Sequence, residues 1–341
     1  MRNGIIGAGN WILDKVKIID RWPGEGNLCN IIDEIPAPGG GPANVLFDLN
    51  AADPALPLFA AGKIGKDAEG DYLINEIKRR GIDDKFMKRS DDKPTSYTDV
   101  MSGNGKRTFF HCRGANAQLA AEDLADIDVP AKFFYLGYLL LLDALDAPDA
   151  EYGTCAVRLL KQMQAKGYKT VVDFVSEAPE KFRASVIPAL PYIDILIVNE
   201  VETACCCGFD LRDADGKLLW QKLPEAVDFL FDNGVRETVV IHFPEGAAAR
   251  HKNGEYIYAP SCFITKSEIV GSNGAGDAFC AGVMYALHQD WPLDKALKLG
   301  GASSNFNLRS ATASGGAVSL EKMLEFLENC KFEALPEGMT L

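Results

Sequence analysis

Apolar and polar positions follow two different rhythms along the chain. Near-continuous apolar segments of strand length occur at 132–142, 169–175, 193–199 and 237–243. Stretches with helical character lie between them, at 153–167, from Ala178, at 200–208 and at 218–233. Strands that alternate with helices predict a doubly wound α/β sheet. The apolar character of the strands predicts a mostly parallel sheet with helices on both faces.

Two earlier regions, at about 15–36 and about 93–113, instead alternate apolar and polar residues one by one. Turn signals interrupt both, and Asn104 with Gly105 predicts a β-hairpin in the second. We expect these regions to form strands of a small sheet that projects from the α/β core. Since no internal repeat or long linker is found, residues 1–341 are expected to form a single domain, with a frayed tail at 336–341.

Composition narrows the classes of partner. The 341 residues carry a formal net charge of −13, which argues against non-specific binding to nucleic acid or to anionic membranes. No uncharged apolar run reaches the ~18 residues of a membrane helix, and the opening residues lack the apolar core of a secretion signal. The nine cysteines include no CxxC pair, so reduced thiols in a cytoplasmic protein are expected.

Glycine-rich turns precede predicted helices at three places, within 37–49, 61–82 and 268–289. Such a turn directs backbone N–H groups at the positive end of a helix dipole, which makes an anion site suited to a phosphate. Asp277 lies in the first turn of the last of these helices, where a carboxylate is a candidate base for a substrate hydroxyl. The alternative is an ordinary turn followed by an acid at a helix start.

These motifs, in this order, resemble those of the ribokinase-like (PfkB) carbohydrate kinases over nearly the whole chain. "GGGPAN" followed by "GKIGKDAEG" resembles the N-terminal signature of that family, and "GSNGAGD" resembles the C-terminal one. "GAGNWILD" resembles the first strand and turn, "RTFFHCRGAN" the lid return, and "NEVE" the metal motif. The resemblance implies a ribokinase-like fold with a β-sheet lid.

The resemblance also implies roles for individual residues. Asp277 would be the catalytic base, beside an anion hole formed by the amides of Gly274, Ala275 and Gly276. Mg2+ would be organised by Asn199 and Glu202, mainly through water. Residues implied to contact the substrate are Asn10, Asp14, Gly40, Gly41, Asn44, Arg113 and Asn116. Residues implied to contact ATP are Asn199, His242, Gly246, Gly274, Gly276 and Asn305.

Simpler interpretations stay open for several of these residues. Asp14 has the pattern of a surface acid at a strand end. Asn199 and Glu202 have the spacing of a helix N-cap and its capping-box acid, which is compatible with a metal role. Arg107 and Arg113 are simplest as solvated hairpin residues. His111 and His242 lack partners at ligand spacing, so neither is expected to bind a metal.

The chain departs from the family pattern at two sites. Gly271 stands where the family usually has Asp, and Ser272 stands for Thr; losing that carboxylate puts a monovalent-cation site in doubt. The nucleotide loop, at 242–249, carries Pro244 near a glycine position, and proline removes an N–H and fixes φ. We therefore expect this loop to hold nucleotide differently or less tightly. The segment 171–176 resembles the post-strand Asp segment of the family without its usual partners.

The sequence thus predicts an ATP-dependent sugar kinase with its site at the carboxyl ends of the strands, under a lid that also pairs two subunits in a homodimer. A nucleoside kinase is the first alternative, since "SNGAGDAF" resembles the version found in adenosine kinases. A non-catalytic sugar- or nucleotide-binding relative is the second, because of Gly271 and Pro244. A dinucleotide enzyme is the third, although "GIIGAGN" lacks the full glycine spacing. The sequence names neither the sugar nor the hydroxyl.

Overall fold

The computed structural model describes residues 2–104, 106–175 and 179–336. Its strands are β1 Ile5–Gly9, β2 Ile12–Ile19, β3 Ile31–Gly39, β4 Leu58–Gly65, β5 Asp83–Ser90, β6 Tyr97–Gly103, β7 Lys106–Cys112, β8 Phe133–Leu139, β9 Pro148–Asp149, β10 Gly153–Thr154, β11 Lys169–Phe174, β12 Ile195–Asn199, β13 Thr238–Phe243, β14 Gly246–His251 and β15 Ile257–Pro260. Its α-helices are α1 Gly41–Ala52, α2 Ala68–Arg79, α3 Asp143–Asp146, α4 Cys155–Ala165, α5 Pro179–Val186, α6 Glu200–Cys207, α7 Leu223–Asp232, α8 Ala275–His288, α9 Leu293–Asn307 and α10 Leu320–Asn329.

The large sheet has nine strands in the order β15-β14-β13-β12-β11-β8-β1-β4-β5. Seven neighbouring strands of this sheet are parallel to one another, namely β5, β4, β1, β8, β11, β12 and β13. Strands β14 and β15 add an antiparallel edge. Helices cover both faces, because strands such as β1 and β8 bury their side chains on both sides and leave two hydrophobic cores to be filled. This confirms the predicted fold class.

The small sheet, which we call the lid, has the order β3-β2-β6-β7. Its two hairpins are antiparallel and join through a parallel pairing of β2 with β6. The strands span 12–39 and 97–112, close to the two alternating regions of the sequence. Asn104 has the positive φ of 51° that a tight hairpin turn requires, whereas Gly105 lies outside the described residues.

Parallel pairing brings the ends of several strands to one edge of the large sheet. Asn199 at the end of β12 pairs in register with His242 near the end of β13, and Gly9 of β1 pairs with Gly137 of β8. Helices α1 and α8 start at the same edge, where the side chains of Asn44 and Asp277 meet. Several of the predicted site residues therefore lie at the edge where open α/β sheets place their ligands.

Some boundaries differ from the prediction. The helix expected over 218–233 begins only at Leu223, because Pro224 is suited to the first turn of a helix and not to its interior. The helix expected from Ala178 is described from Pro179, and 176–178 lie outside the described residues, as does the tail from 337. None of the helices among the described residues is long and apolar enough to cross a membrane.

Candidate active site

The turn that opens α8 is shaped by Gly274, which precedes the helix with φ 76° in the left-handed region. A side chain there would also collide with the backbone of Ala313, so the turn requires glycine. The Ala275 amide donates to the Ser272 carbonyl at 3.3 Å, and the Ala278 amide donates to the Gly274 carbonyl. The amides of Gly276 and Asp277 belong to the first helical turn, whose N–H groups have no partner within the helix.

Asp277 is the third residue of α8 and only 6% exposed. Its carboxylate accepts hydrogen bonds from Asn44 Nδ2 at 2.7 Å and from the Tyr138 hydroxyl at 2.8 and 2.9 Å. Burial raises its pKa to about 6, and the hydrogen bonds from Asn44 and Tyr138 limit that rise. At neutral pH this carboxylate is ionised, fixed in orientation and poorly solvated.

Further buried carboxylates lie behind Asp277. Burial and the Asp277 charge raise the pKa of Asp48 well above its usual range, and neither of its carboxyl oxygens has a partner among the described residues. Burial, Glu202 and Asp277 together raise the pKa of Asp173 well above its usual range. Burial and repulsion between the carboxylates therefore favour the protonated forms of Asp48 and Asp173, and a bound cation would favour their ionised forms.

Asn199 and Glu202 form a complete capping box at the start of α6. Asn199 Oδ1 accepts from the Glu202 amide at 2.8 Å, and Glu202 Oε2 accepts from the Asn199 amide at 3.1 Å. Among the described residues, no group of three or more His, Cys, Asp or Glu side chains is arranged to hold a metal by itself. With Asp173 nearby, the pair fits Mg2+, which keeps several waters and takes its remaining ligands from phosphates.

One cavity of about 480 Å3 lies between Asp277 and the lid. Asp14 lines it from β2 and is buried, not a surface acid, and burial raises its pKa to about 6. Asn273 Nδ2 donates to Asp14 at 3.3 Å, which ties the lid to the turn before α8. Phe109 and His111 line the same cavity from β7, and Gly40 and Asn44 line it from the start of α1.

Four residues expected to contact substrate do not line this cavity. Asn116 donates to the Trp11 carbonyl and accepts from the Trp11 amide, so its amide group holds the β1–β2 turn. Asn10 is fully buried and donates to the Tyr138 carbonyl. Gly41, the first residue of α1, lies against Tyr135 and Tyr138 of β8, which leave no room for a side chain at this position. Arg113 pairs with Asp143 at 2.7 Å and lines a separate cavity.

A second cavity, of about 550 Å3, adjoins the first and is lined by His242, Gly246 and Asn305, three of the residues predicted to contact ATP. His242, Gly276 and Asn199 line both cavities and mark their junction. The His242 ring packs on Phe279 at 5.0 Å between centroids, and burial lowers its pKa to about 4, so the ring is neutral.

The departure at Pro244 has a structural basis. Phe243 pairs with Gly246 across a two-residue turn, so Pro244 occupies a turn position where no sheet hydrogen bond is needed. Arg212 holds the next residue, Glu245, with two hydrogen bonds of 2.9 Å. The loop is thus a short, tethered hairpin along the second cavity.

Sequence reasoning missed Tyr138, Asp173 and the lid residues Phe109 and His111 as parts of the site. Tyr138 and Asp173 lie near the carboxyl ends of β8 and β11, and a strand-end position beside other polar residues is a signal that the sequence contains. The lid residues required knowledge of which face of β7 turns inward.

Comparison with known proteins agrees with this architecture. The model of the pfkB family carbohydrate kinases matches residues 36–319. An adenosine kinase of Schizophyllum commune is 25% identical over 77% of this chain and 76% of its own length. A 5-dehydro-2-deoxygluconokinase of Geobacillus kaustophilus (strain HTA426) is 22% identical over 85% of this chain and 84% of its own length. The structure of Arabidopsis thaliana ribokinase complexed with ribose and ATP superposes with a TM-score of 0.76 at 20% identity, covering 96% of this chain and 99% of the other.

Proposed function

Because this chain belongs to the pfkB family of carbohydrate kinases, we propose that it transfers the γ-phosphoryl group of ATP to a hydroxyl group of a small sugar, with Asp277 as the base. The chain is a phosphotransferase with an alcohol group as acceptor, and use of ATP follows from the family. One observation carries the finer proposal. The buried Asp277 carboxylate lies beside the helix start at which two cavities meet, one under the lid and one along β13 and β14.

The proposed reaction begins with the acceptor hydroxyl in the cavity under the lid. Its proton passes to the Asp277 carboxylate as its oxygen forms a bond to the γ-phosphorus. The bond from that phosphorus to the bridging oxygen breaks, and the electron pair leaves with ADP. Asn44 and Tyr138 hold the carboxylate in place through their donated hydrogen bonds. Since the pKa of Asp277 is about 6, the base is ionised at neutral pH.

The start of α8 would stabilise the transferring group. The amides of the turn from Gly274 and the dipole of α8 provide donors and partial positive charge for negative phosphoryl oxygens. Asn199, Glu202 and Asp173 are the residues that would hold Mg2+ beside the phosphates, and bound Mg2+ would neutralise phosphate charge. The neutral His242 ring separates the cavities without adding charge of its own.

A nucleoside acceptor is the second candidate, and the lid side chains favour it. The aromatic ring of Phe109 and the ring of His111 line the cavity together. The Nε2 atom of His111 is buried and has no partner among the described residues. A planar base would stack on such rings and offer a polar edge. A free sugar would use the carboxylates and amides of Asp14, Asn44 and Asp277.

The lid also supports the proposed homodimer. Ile31 and Ile32 on its edge strand β3 are 50% and 66% exposed, and Phe110 on the outer face of β7 is 58% exposed. An exposed edge with apolar side chains favours pairing with a second copy of the chain. Light scattering is expected to find a dimer that Ile32→Glu converts to a monomer, whereas Leu324→Glu on α10 leaves the dimer intact. A monomeric wild-type protein would contradict the proposal.

Coupled ADP release with Mg-ATP, measured across sugars, sugar acids and nucleosides, tests the function. We expect turnover on one acceptor class and a loss of about 10²–10⁴-fold in Asp277→Asn. Saturation by a free sugar would support the first candidate, and saturation by a nucleoside alone would support the second. Turnover that survives unchanged in Asp277→Asn would overturn the assignment of the base.

A further inference from the structure

Arg212 lies in the connection between α6 and α7, outside the residues that line either cavity. Its backbone forms an isolated bridge with Leu218, and the Leu219 amide donates to the Leu211 carbonyl at 2.9 Å. Leu211 and Leu218 are buried, so the chain is anchored in the core beside Arg212. The position from which the Arg212 side chain extends is therefore fixed.

The guanidinium group of Arg212 holds two carboxylates from different parts of the chain. Its Nη1 and Nη2 atoms donate to the two carboxylate oxygens of Glu245, each at 2.9 Å. Its Nε atom donates to Glu200 Oε1 at 2.7 Å, and Nη2 lies 2.6 Å from the same oxygen. Nη1 also donates to the Gly216 carbonyl at 2.8 Å. These contacts engage all the N–H groups of the guanidinium, so the side chain has one well-defined position.

The two carboxylates belong to two separate segments at the cavity proposed for ATP. Glu200 is the first residue of α6 and lines that cavity. Glu245 lies in the β13–β14 turn between Pro244 and Gly246, and both of these neighbours line the cavity. Arg212 therefore ties the start of α6 to this turn from outside the cavity lining.

Arg212 also compensates negative charge next to this cavity. The Glu200 side chain is only 8% exposed, so its carboxylate depends on a close partner to remain charged. Burial would raise the pKa of Glu245, but the hydrogen bonds and the charge of Arg212 outweigh burial and lower that pKa. Without Arg212, both carboxylates would lose this partner and would repel the phosphates of a bound ATP.

We propose that Arg212 is a positioning residue for ATP, which acts through Glu200 and Glu245 by holding the start of α6 and the β13–β14 turn at a fixed separation. The proposal rests on the proposed kinase function, in which ATP lies along this turn. The same tie explains how the chain tolerates Pro244. Proline removes one backbone N–H from the turn, and the ion pairs of Arg212 keep the turn in place without it.

Arg212→Gln tests the proposal, with Arg250→Gln as the matched control. The two arginine side chains are 23% and 22% exposed, and Arg250 pairs with Asp228 at 2.7 Å without lining either cavity. We expect Arg212→Gln to weaken binding of a non-hydrolysable ATP analogue with Mg2+ by about tenfold, as loss of one charge-assisted hydrogen bond would. Calorimetric titration measures this affinity. Arg250→Gln should bind the analogue as the wild type does, and equal losses in the two variants would overturn the proposal.

Steady-state kinetics separate positioning of ATP from a general loss of structure, because misfolding lowers the amount of active enzyme and hence kcat. Arg212→Gln should raise KM for ATP about tenfold, whereas kcat and KM for the acceptor should change by less than about twofold. Arg212→Lys keeps the charge but not the two-sided geometry, so its KM for ATP should be intermediate. A fall in kcat with an unchanged KM for ATP, or a lysine variant that equals the wild type, would contradict positioning by geometry.

Glu245→Gln combined with Arg212→Gln tests whether the two residues act together. Since both changes break the same ion pair, the double variant should bind the ATP analogue no more weakly than Arg212→Gln alone. Losses of affinity that multiply would show that Arg212 and Glu245 act independently, and would refute the tie between them.

The titration also separates this inference from the kinase function on which it rests, because it needs no acceptor. A wild-type protein that binds no ATP analogue would refute the proposed kinase function and the role of Arg212 with it. Wild-type binding that Arg212→Gln leaves unchanged would refute the role of Arg212 alone.

Discussion

The two walls of the cleft differ in how the chain holds their polar groups. The body wall presents Asp277 at the start of α8 and Asp173 near the end of β11, both buried and both with raised pKa values. The lid wall presents Phe109 and His111 from the β6–β7 hairpin, and Phe109 is 55% exposed. We propose a division of roles, in which the body wall carries out proton transfer and the lid wall selects the acceptor.

The largest of these effects is expected for Glu202→Gln on the body wall, and it concerns the Mg2+ dependence of turnover. Gln keeps the capping box, because its side-chain oxygen still accepts from the Asn199 amide. The lost charge should lower the apparent affinity for Mg2+ by about 10- to 100-fold. Titration of turnover with Mg2+ measures this. The midpoint of thermal unfolding should be unchanged. A variant that loses stability but keeps its Mg2+ affinity would show that Glu202 only caps α6 and does not help to bind Mg2+.

A smaller effect is expected from Phe109→Ala on the lid wall. Losing one stacked ring should raise KM for the acceptor about tenfold and leave kcat nearly intact. Phe110→Ala is the matched control, since Phe110 is similarly exposed on the outer face of the same strand. Steady-state kinetics with varied acceptor distinguish the two. If kcat falls and KM does not rise, the lid contributes to the chemical step, which would contradict the proposed division of roles between the two walls.

Tyr138→Phe on the body wall should shift the pH dependence of kcat/KM. The Tyr138 hydrogen bond lowers the pKa of Asp277, so its loss should raise that pKa and move the acid limb of kcat/KM to higher pH. The loss of activity should therefore be largest near pH 6. Tyr135→Phe serves as control, because the Tyr135 hydroxyl has no partner among the described residues. Identical pH profiles for Tyr138→Phe and the wild type would show that Tyr138 does not affect the pKa of Asp277.

The smallest expected effect is on stability. The folded-state pKa of Asp277 is raised from 3.8 to about 6, so ionisation opposes folding, and the cost grows between these values and is complete above them. Asp277→Asn should then raise the thermal midpoint by a few degrees at pH 8 and less at pH 4. In contrast, Lys132 lowers the pKa of Asp290, so Asp290→Asn should stabilise at neither pH. Calorimetry that finds Asp277→Asn less stable at pH 8 would contradict the burial cost.

The fold was predictable because its signals are local. Apolar runs and helical spacing report burial on each element separately, and the glycine turns before α1 and α8 report helix starts. Asp277 and the pair Asn199 and Glu202 were found for the same reason, since each belongs to a short contiguous motif.

The rest of the site depends on pairing that one segment does not reveal. Tyr138 on β8 meets Asp277 at the start of α8 because the fold brings these distant segments together, and His111 faces the cavity only through the register of β7 with β6. Arg113 and Asn116 lie just past β7, where the chain turns away from the cleft, so Arg113 pairs with Asp143 and Asn116 with the Trp11 backbone. The sequence motif identified Arg113 and Asn116 as candidates but did not reveal which way their side chains point.

Phosphorus NMR of the complete reaction tests the central claim most directly. With Mg-ATP and the acceptor identified by the substrate panel, the wild-type protein should form ADP and a phosphomonoester of the acceptor in equal amounts. Asp277→Asn, over the same time and under the same conditions, should form both products at a rate lower by about 10²–10⁴-fold. A spectrum that shows inorganic phosphate in place of the ester, or an ester formed equally well by Asp277→Asn, would contradict the account.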